Sequence, residues 1–134
     1  MDTPQWTPAL SVGHEMLDEH HRILFRLLAE IGRGIDGDDG EAWARDIGAQ
    51  LLSYMDYHFQ AEETLLSVAG YPFLPLHHAS HQAIALRVQA LLQPLGRHPV
   101  RDVMVAVHDF LCDWLSHHIE IEDFEYRPYL AAEA

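Results

Sequence analysis

Apolar residues recur along this chain at the 3.6-residue period of a helix, and four stretches fit that template far better than the two-residue alternation of a strand. In the first stretch Leu17, His21, Leu24, Phe25, Leu28 and Ile31 share a face, and Gly32 and Gly34 are expected to break the helix at its C-terminal end. The acidic, glycine-rich run Asp36, Gly37, Asp38, Asp39 and Gly40 reads as a loop. A second and longer helix is expected over Glu41–Ala69, with Leu51, Met55, His58, Glu62, Leu66 and Ala69 on one stripe and Gly70, Tyr71 and Pro72 stopping it. The third covers about 75–95: His77, His81, Ile84, Val88, Leu91 and Leu95 repeat at near-heptad spacing, and Pro75 suits a first helical turn. After a turn at 96–99, the fourth begins near Val100 and carries Val100, Met104, Val107, Leu111, Trp114 and His118 down one face.

Four amphipathic helices joined by short loops bury their stripes most simply as an all-α, up-down-up-down antiparallel four-helix bundle. The expected organisation is a single domain over residues 1–134. Residues 1–13, containing Pro4, Trp6 and Pro8, form an extended N-terminal arm packed through Trp6; residues 14–123 form the bundle; and residues 124–134, interrupted by Pro128, form an irregular tail.

Composition narrows the chemistry. The formal charge of −13 repels nucleic-acid backbones and anionic membranes, so neither is an expected partner. The first residues carry no basic, apolar secretory pattern and no apolar run is long enough to cross a bilayer, so a cytoplasmic location is expected. A lone cysteine, Cys112, excludes an internal disulfide and a cysteine-cluster metal site. It lies one step off the core stripe and reads as a small packing residue. The unusual figure is 11 histidines.

His77 and His81, and likewise His58 and Glu62, are four residues apart, which stacks two side chains on one helix face at metal-ligand spacing. Each pair alone is weak, since 11 histidines in 134 residues produce such a spacing by chance. Their joint placement says more. In an up-down bundle the start of helix one, the end of helix two, the start of helix three and the end of helix four meet at one end, which gathers His21, His58, Glu62, His77, His81 and His118 into one layer. All six lie on the apolar stripes, where an unpaired polar group costs about 2–7 kcal/mol. Imidazoles and carboxylates without thiolates suit iron, zinc, manganese or copper, and there are too many ligands for one ion. Two octahedral ions sharing five imidazoles, two bridging carboxylates and one bridging oxygen would keep a single open position, a site for a small molecule.

These residues resemble the hemerythrin family, specifically its bacteriohemerythrin members. The segment 17–25 (LDEHHRILF) resembles the family's first-helix signature, residues 58–63 (HFQAEE) its second-helix motif, His77 to His81 its third-helix pair, and residues 114–123 (WLSHHIEIED) its fourth-helix motif; Trp6 and the run 70–72 (GYP) extend the match. The resemblance implies a non-haem centre of two iron ions with a bridging oxo or hydroxo group, which binds dioxygen reversibly. It assigns His77, His81 and His118 to the coordinatively filled iron and His21 and His58 to the open one, with Glu62 and Asp123 bridging. His20 and His117 depart from the common pattern, glutamine and a small polar residue respectively, and are expected to face solvent or a neighbouring helix. His14, His78, His98 and His108 have no matching role and read as surface or capping residues.

Helical spacing and resemblance disagree over the fourth-helix carboxylate. From His118 an ideal α-helix favours Glu122, because five residues on points about 140° away. Asp123 serves only if the helix widens into a π-turn or ends there, and that distortion is expected here.

By helical spacing Leu24, Phe59, Trp114, Leu115 and Ile119 flank the ligands as an oxygen pocket, with Leu115 nearest the metals. All are apolar, which favours reversible binding over turnover. The expected function is therefore oxygen storage, transport or delivery to an oxygen-consuming enzyme, not catalysis. The competing readings are an oxygen-sensing module acting through a partner and a di-iron enzyme acting on nitric oxide or peroxide.

Overall fold

The structure, a computed structural model, describes residues 1–131. Helix α1 spans Glu15–Asp36, α2 Glu41–Ala69, α3 Leu74–Leu92 and α4 Val100–His117. Helix α1 packs chiefly on α2 and α4, and α3 on the same two, so the four antiparallel helices form the expected up-down-up-down bundle. No strand occurs among the described residues. Leu17, Leu28, Ile31, Leu51, Met55, Leu66, Val88, Met104, Val107 and Leu111 fill the interior, as their 3.6-residue spacing requires.

Helix α2 has the bounds read from the sequence. It stops because Gly70 takes a left-handed conformation (φ 72°), which lets the Tyr71 and Gly70 N–H groups turn back onto the Leu66 and Ser67 carbonyls. Helix α1 departs from expectation by running through Gly32 and Gly34 to Asp36. Both glycines are points of close approach rather than breakers. A Cβ on Gly34 would fall 1.9 Å from a Trp43 ring carbon, and one on Gly32 would fall 3.0 Å from Thr3 Oγ1 and 3.3 Å from His108 Nε2. Helix α3 ends at Leu92, short of the expected 95, ahead of Pro94, which cannot donate to a helical ladder. Leu95 still reaches the core from the following turn, where the Arg45 guanidinium donates to its carbonyl at 3.1 Å.

The N-terminal arm is extended apart from a 3-10 turn at Pro8–Leu10. Trp6 is only half-buried, with Arg22 over its ring at 4.5 Å, and the stronger anchors are buried Leu10 and Val12. Asp18 fixes this junction by accepting from the Ser11 hydroxyl (2.6 Å) and the Val12 N–H (2.9 Å). The tail corrects the sequence reading: it is helical, a 3-10 turn Phe124–Tyr126 followed by α5, Arg127–Ala131, with Tyr126 and Leu130 buried. Pro128 sits in the first turn of α5, where its missing N–H costs nothing. Tail positions 132–134 lie outside the described residues.

His108 is also corrected. It is buried at 1% exposure instead of on the surface, and its Nε2 meets Thr3 Oγ1 at 2.8 Å, tying the arm to α4. Half-buried Cys112 lies beside it, its thiol pushed up to about 11 by burial and by Asp109 and Asp113, as befits a packing residue.

Candidate metal centre

Between α4 and the tail the chain forms a π-helical segment, His118–Asp123, where the sequence required a distortion. The wider turn puts both His118 and Asp123 on the buried side and leaves Glu122 half-exposed behind His118. The other groups arrive from regular helix: His21 from the start of α1, His58 and Glu62 from the C-terminal part of α2, and His77 and His81 from the first turns of α3. All seven are buried and meet at one end of the bundle.

Two clusters result, one of His77, His81, His118 and Glu62, the other of His21, His58 and Glu62. Each buried carboxylate spans both. Glu62 turns Oε1 to His77 Nε2 and to His81 Nε2 (3.2 Å), and Oε2 to His58 Nε2 (3.4 Å) and His21 Nε2 (3.9 Å). Asp123 turns Oδ1 to His77 Nε2 (3.3 Å) and His118 Nε2 (3.1 Å), and Oδ2 to His21 Nε2 (3.3 Å). All five imidazoles therefore aim Nε2 inward.

Several of these inward atoms have no hydrogen-bond partner: Nε2 of His21, His81 and His118, and both oxygens of Asp123; the outer Nδ1 of His21 has none either. Buried polar atoms left this way need a compensating group. Lone pairs converging from imidazoles and carboxylates, with no thiolate, are what a borderline or hard transition-metal ion satisfies. The residues fit a metal centre.

Three of the outer nitrogens are held from behind. His81 Nδ1 meets Glu63 Oε2 at 2.8 Å, and His118 Nδ1 bonds the Glu122 carboxylate, which also accepts from Ser80. His58 Nδ1 meets not a carboxylate but His20 Nδ1, at 3.0 Å. Tyr126 donates to Glu62 Oε2 at 3.0 Å, and its hydroxyl is pushed well above the ordinary tyrosine range by burial and by Asp123 and Glu62.

The electrostatics follow from the same contacts. Burial alone would raise the Glu62 and Asp123 carboxyls, but the surrounding imidazoles hold both below the usual range. Burial alone would lower His77 and His118, yet Asp123 and Glu62, with Glu122 for His118, raise them to about 9 and about 10. His58 and His20 have less compensation, and burial leaves both lowered.

The five apolar flanking residues divide. Leu24, Trp114 and Leu115 line a void of about 10 Å³ with Leu28, Leu51, Met55 and Leu111, and none of the seven offers a titratable group. Phe59 instead lies flat on the His81 ring (centroids 3.8 Å apart, 7° between planes), and Trp114 stacks on His118 at 4.5 Å as well as lining the void. Ile119 is fully buried within the π segment. His117 is exposed, His78 is exposed against Glu63, and His14 caps α1 by accepting from the Leu17 N–H. Of the two departing histidines, His20 is the interhelical one.

Sequence reasoning passed over Tyr126, Glu63 and the contact of His20 with His58. For Tyr126 a signal was available: once a π-turn is placed before Asp123, a residue three further on shares its face. For Glu63 it was the Glu–Glu pair at 62–63, one member facing the centre and its neighbour reaching across to α3.

A helical bundle with a buried imidazole–carboxylate cluster at one end defines a metal-binding class. The chain belongs to the hemerythrin family: the model of the hemerythrin HHE cation binding domain matches residues 12–130. It is 28% identical to a myohemerythrin of Riftia pachyptila, over 93% of this chain and 92% of that one, and 26% identical to a bacteriohemerythrin of Stenotrophomonas maltophilia, over 95% and 81%. Among solved structures, a leucine-to-tyrosine variant of a hemerythrin superposes with a TM-score of 0.81 at 25% identity, covering 98% of this chain and 99% of that one. No helix among the described residues is long and apolar enough to cross a membrane.

Proposed function

We propose that this protein binds dioxygen reversibly at a non-haem di-iron centre, for oxygen storage, transport or delivery to oxygen-requiring enzymes. The observation that carries the reading is the way Glu62 and Asp123 each direct one oxygen to the three-histidine cluster and the other to the two-histidine cluster. Two carboxylates so placed would each be shared between two ions. His77, His81 and His118 would hold one iron and His21 and His58 the other, with an oxo or hydroxo group from solvent as the remaining shared ligand. Bound there, the irons would supply a two-electron reservoir for dioxygen binding, with ligands fewest on the two-histidine side.

The chain's own residues supply the rest. Leu24, Leu115 and Trp114 border a void with no polar wall atom of a titratable kind, which keeps water and proton donors away. The Tyr126 hydroxyl is committed to Glu62 and held well above its ordinary pKa, so it orients a bridge and is a poor acid. A site that excludes water and presents no acid or base suits binding without turnover. Glu63 and Glu122 fix the ring orientation of His81 and His118.

The test is anaerobic reduction of the iron-loaded protein, then air, then degassing, with the visible spectrum recorded throughout. A band that appears in air and disappears on degassing over repeated cycles supports the reading. Steady consumption of peroxide or nitric oxide with no release of oxygen overturns it in favour of an enzyme.

A further inference from the structure

His20 stands beside a proposed ligand yet belongs to neither ligand cluster. It is buried between α1 and α2, with the Tyr57 ring at 5.3 Å and the Tyr54 ring edge-on at 5.9 Å fixing its plane. Its Nδ1 lies 3.0 Å from His58 Nδ1, the two rings nearly perpendicular at 83°. His58 directs Nε2 to the centre, where a metal ion would take its lone pair and leave the proton of the neutral ring on Nδ1. Two nitrogens at hydrogen-bond distance need one donor and one acceptor. With a metal on Nε2, His58 Nδ1–H is the donor and His20 Nδ1 accepts.

We infer that His20 is the positioning residue that fixes the tautomer and plane of His58, and through them the strength with which the two-histidine cluster holds its metal. This rests on the reading of two bridged ions given above. Its importance comes from the lack of any substitute: among the described residues His21 Nδ1 has no partner and His20 is the one support of an outer nitrogen on that side. A neutral acceptor also leaves His58 a plain imidazole, whereas Glu63 and Glu122 place charge behind His81 and His118.

The test compares His20→Leu, His20→Asn and His20→Asp, because an Asn or Asp Oδ1 can occupy the place of histidine Nδ1 and accept the same proton. Two readouts are taken. Nitrogen-15 NMR of the zinc-loaded chain reports whether the His58 Nδ1–H is hydrogen-bonded, and transfer of zinc to a chelator reports each ion separately. His20→Leu is expected to abolish the hydrogen-bonded shift of the His58 Nδ1–H and to weaken one of the two zinc ions by about 10–100-fold, with the other unchanged. His20→Asn restores the hydrogen-bonded Nδ1–H and the lost affinity, and His20→Asp exceeds wild type. An unchanged Nδ1–H signal in His20→Leu, equal loosening of both ions, or no rescue by Asn overturns the inference. Binding of a single zinc by wild type defeats the two-ion reading instead, and the effect of His20→Leu and His20→Asn on the His58 ring signals still decides whether His20 positions His58.

Discussion

The two sides of the centre are built from the same residue types and differ in what stands behind them. On the three-histidine side, carboxylates back His81 and His118, and Phe59 and Trp114 lie flat against the same two rings. On the two-histidine side, His58 is backed by a neutral histidine and His21 by nothing. The first side is rigid and electron-rich, as suits a metal that keeps its ligands. The second is short of both support and ligands, and it is the side to which the open position is assigned. On the proposed two-ion reading, the difference teaches that outer contacts alone would distinguish two similar ions, without changing the residues that touch the metal.

The most damaging way to break this comparison is to remove what the sides share. Glu62→Ala strips one carboxylate from both clusters and leaves buried imidazoles unpaired. We expect the variant to retain neither metal after gel filtration and its metal-free form to lose about 3–5 kcal/mol in chemical denaturation. Retention of one tightly held ion would show that the sides do not share Glu62.

The next effect is confined to one side. Glu63→Ala or Glu122→Ala should weaken only the ion held by three histidines, by about 10–100-fold in competition with a chelator. Loss at the two-histidine side instead would mean that the assignment of support is reversed.

A pH series sharpens the same contrast. In the metal-free chain His77 and His118 are raised to about 9 and about 10. Stabilisation by a raised group is complete below the ordinary histidine value of about 6.5 and is lost as pH rises through the folded value. The metal-free melting temperature should therefore fall between pH 7 and 10. The loaded chain, whose imidazoles are held neutral by metal, should lack this loss, and loading at pH 7.5 should release protons to a pH-stat. Parallel melting profiles for the two forms would contradict it.

The smallest effect probes the apolar wall. Leu115→Ser should lower the melting temperature, as any truncation of a buried leucine does, but leave iron content unchanged while admitting water to the void, so that the oxygenated visible band decays severalfold faster in air. An unaltered decay at equal iron loading would remove Leu115 from the wall.

Much of this site was legible because its signals are local. The bounds of α2 follow from Gly40 and Gly70, and the convergence of His21, His58, Glu62, His77, His81 and His118 follows from counting helices up and down. The π segment was legible as a conflict between the spacing of His118 to Glu122 and the claim of Asp123. What escaped depends on a neighbouring element. Gly32 and Gly34 look like breakers until Thr3, His108 and Trp43 are seen pressing on them. Burial of His20 and His108 depends on the rotation of α1 against α2 and on the path of the arm, neither of which periodicity within one helix contains.

The π segment also shifts the phase of everything after it. Counted from His118, the buried positions Asp123, Tyr126 and Leu130 fall five, eight and twelve residues on, each one residue later than the four, seven and eleven of an uninterrupted α-helical stripe. The turns from Asp123 to Leu130 are thus written in a different reading register from α4. Deleting a single residue between His118 and Asp123 would be no loop edit: it would bring the carboxylate into α-helical step and move the whole downstream stripe, Tyr126 included, one position closer. A helix carrying such an offset can be altered safely only in pairs, one residue lost and one gained within the same turn.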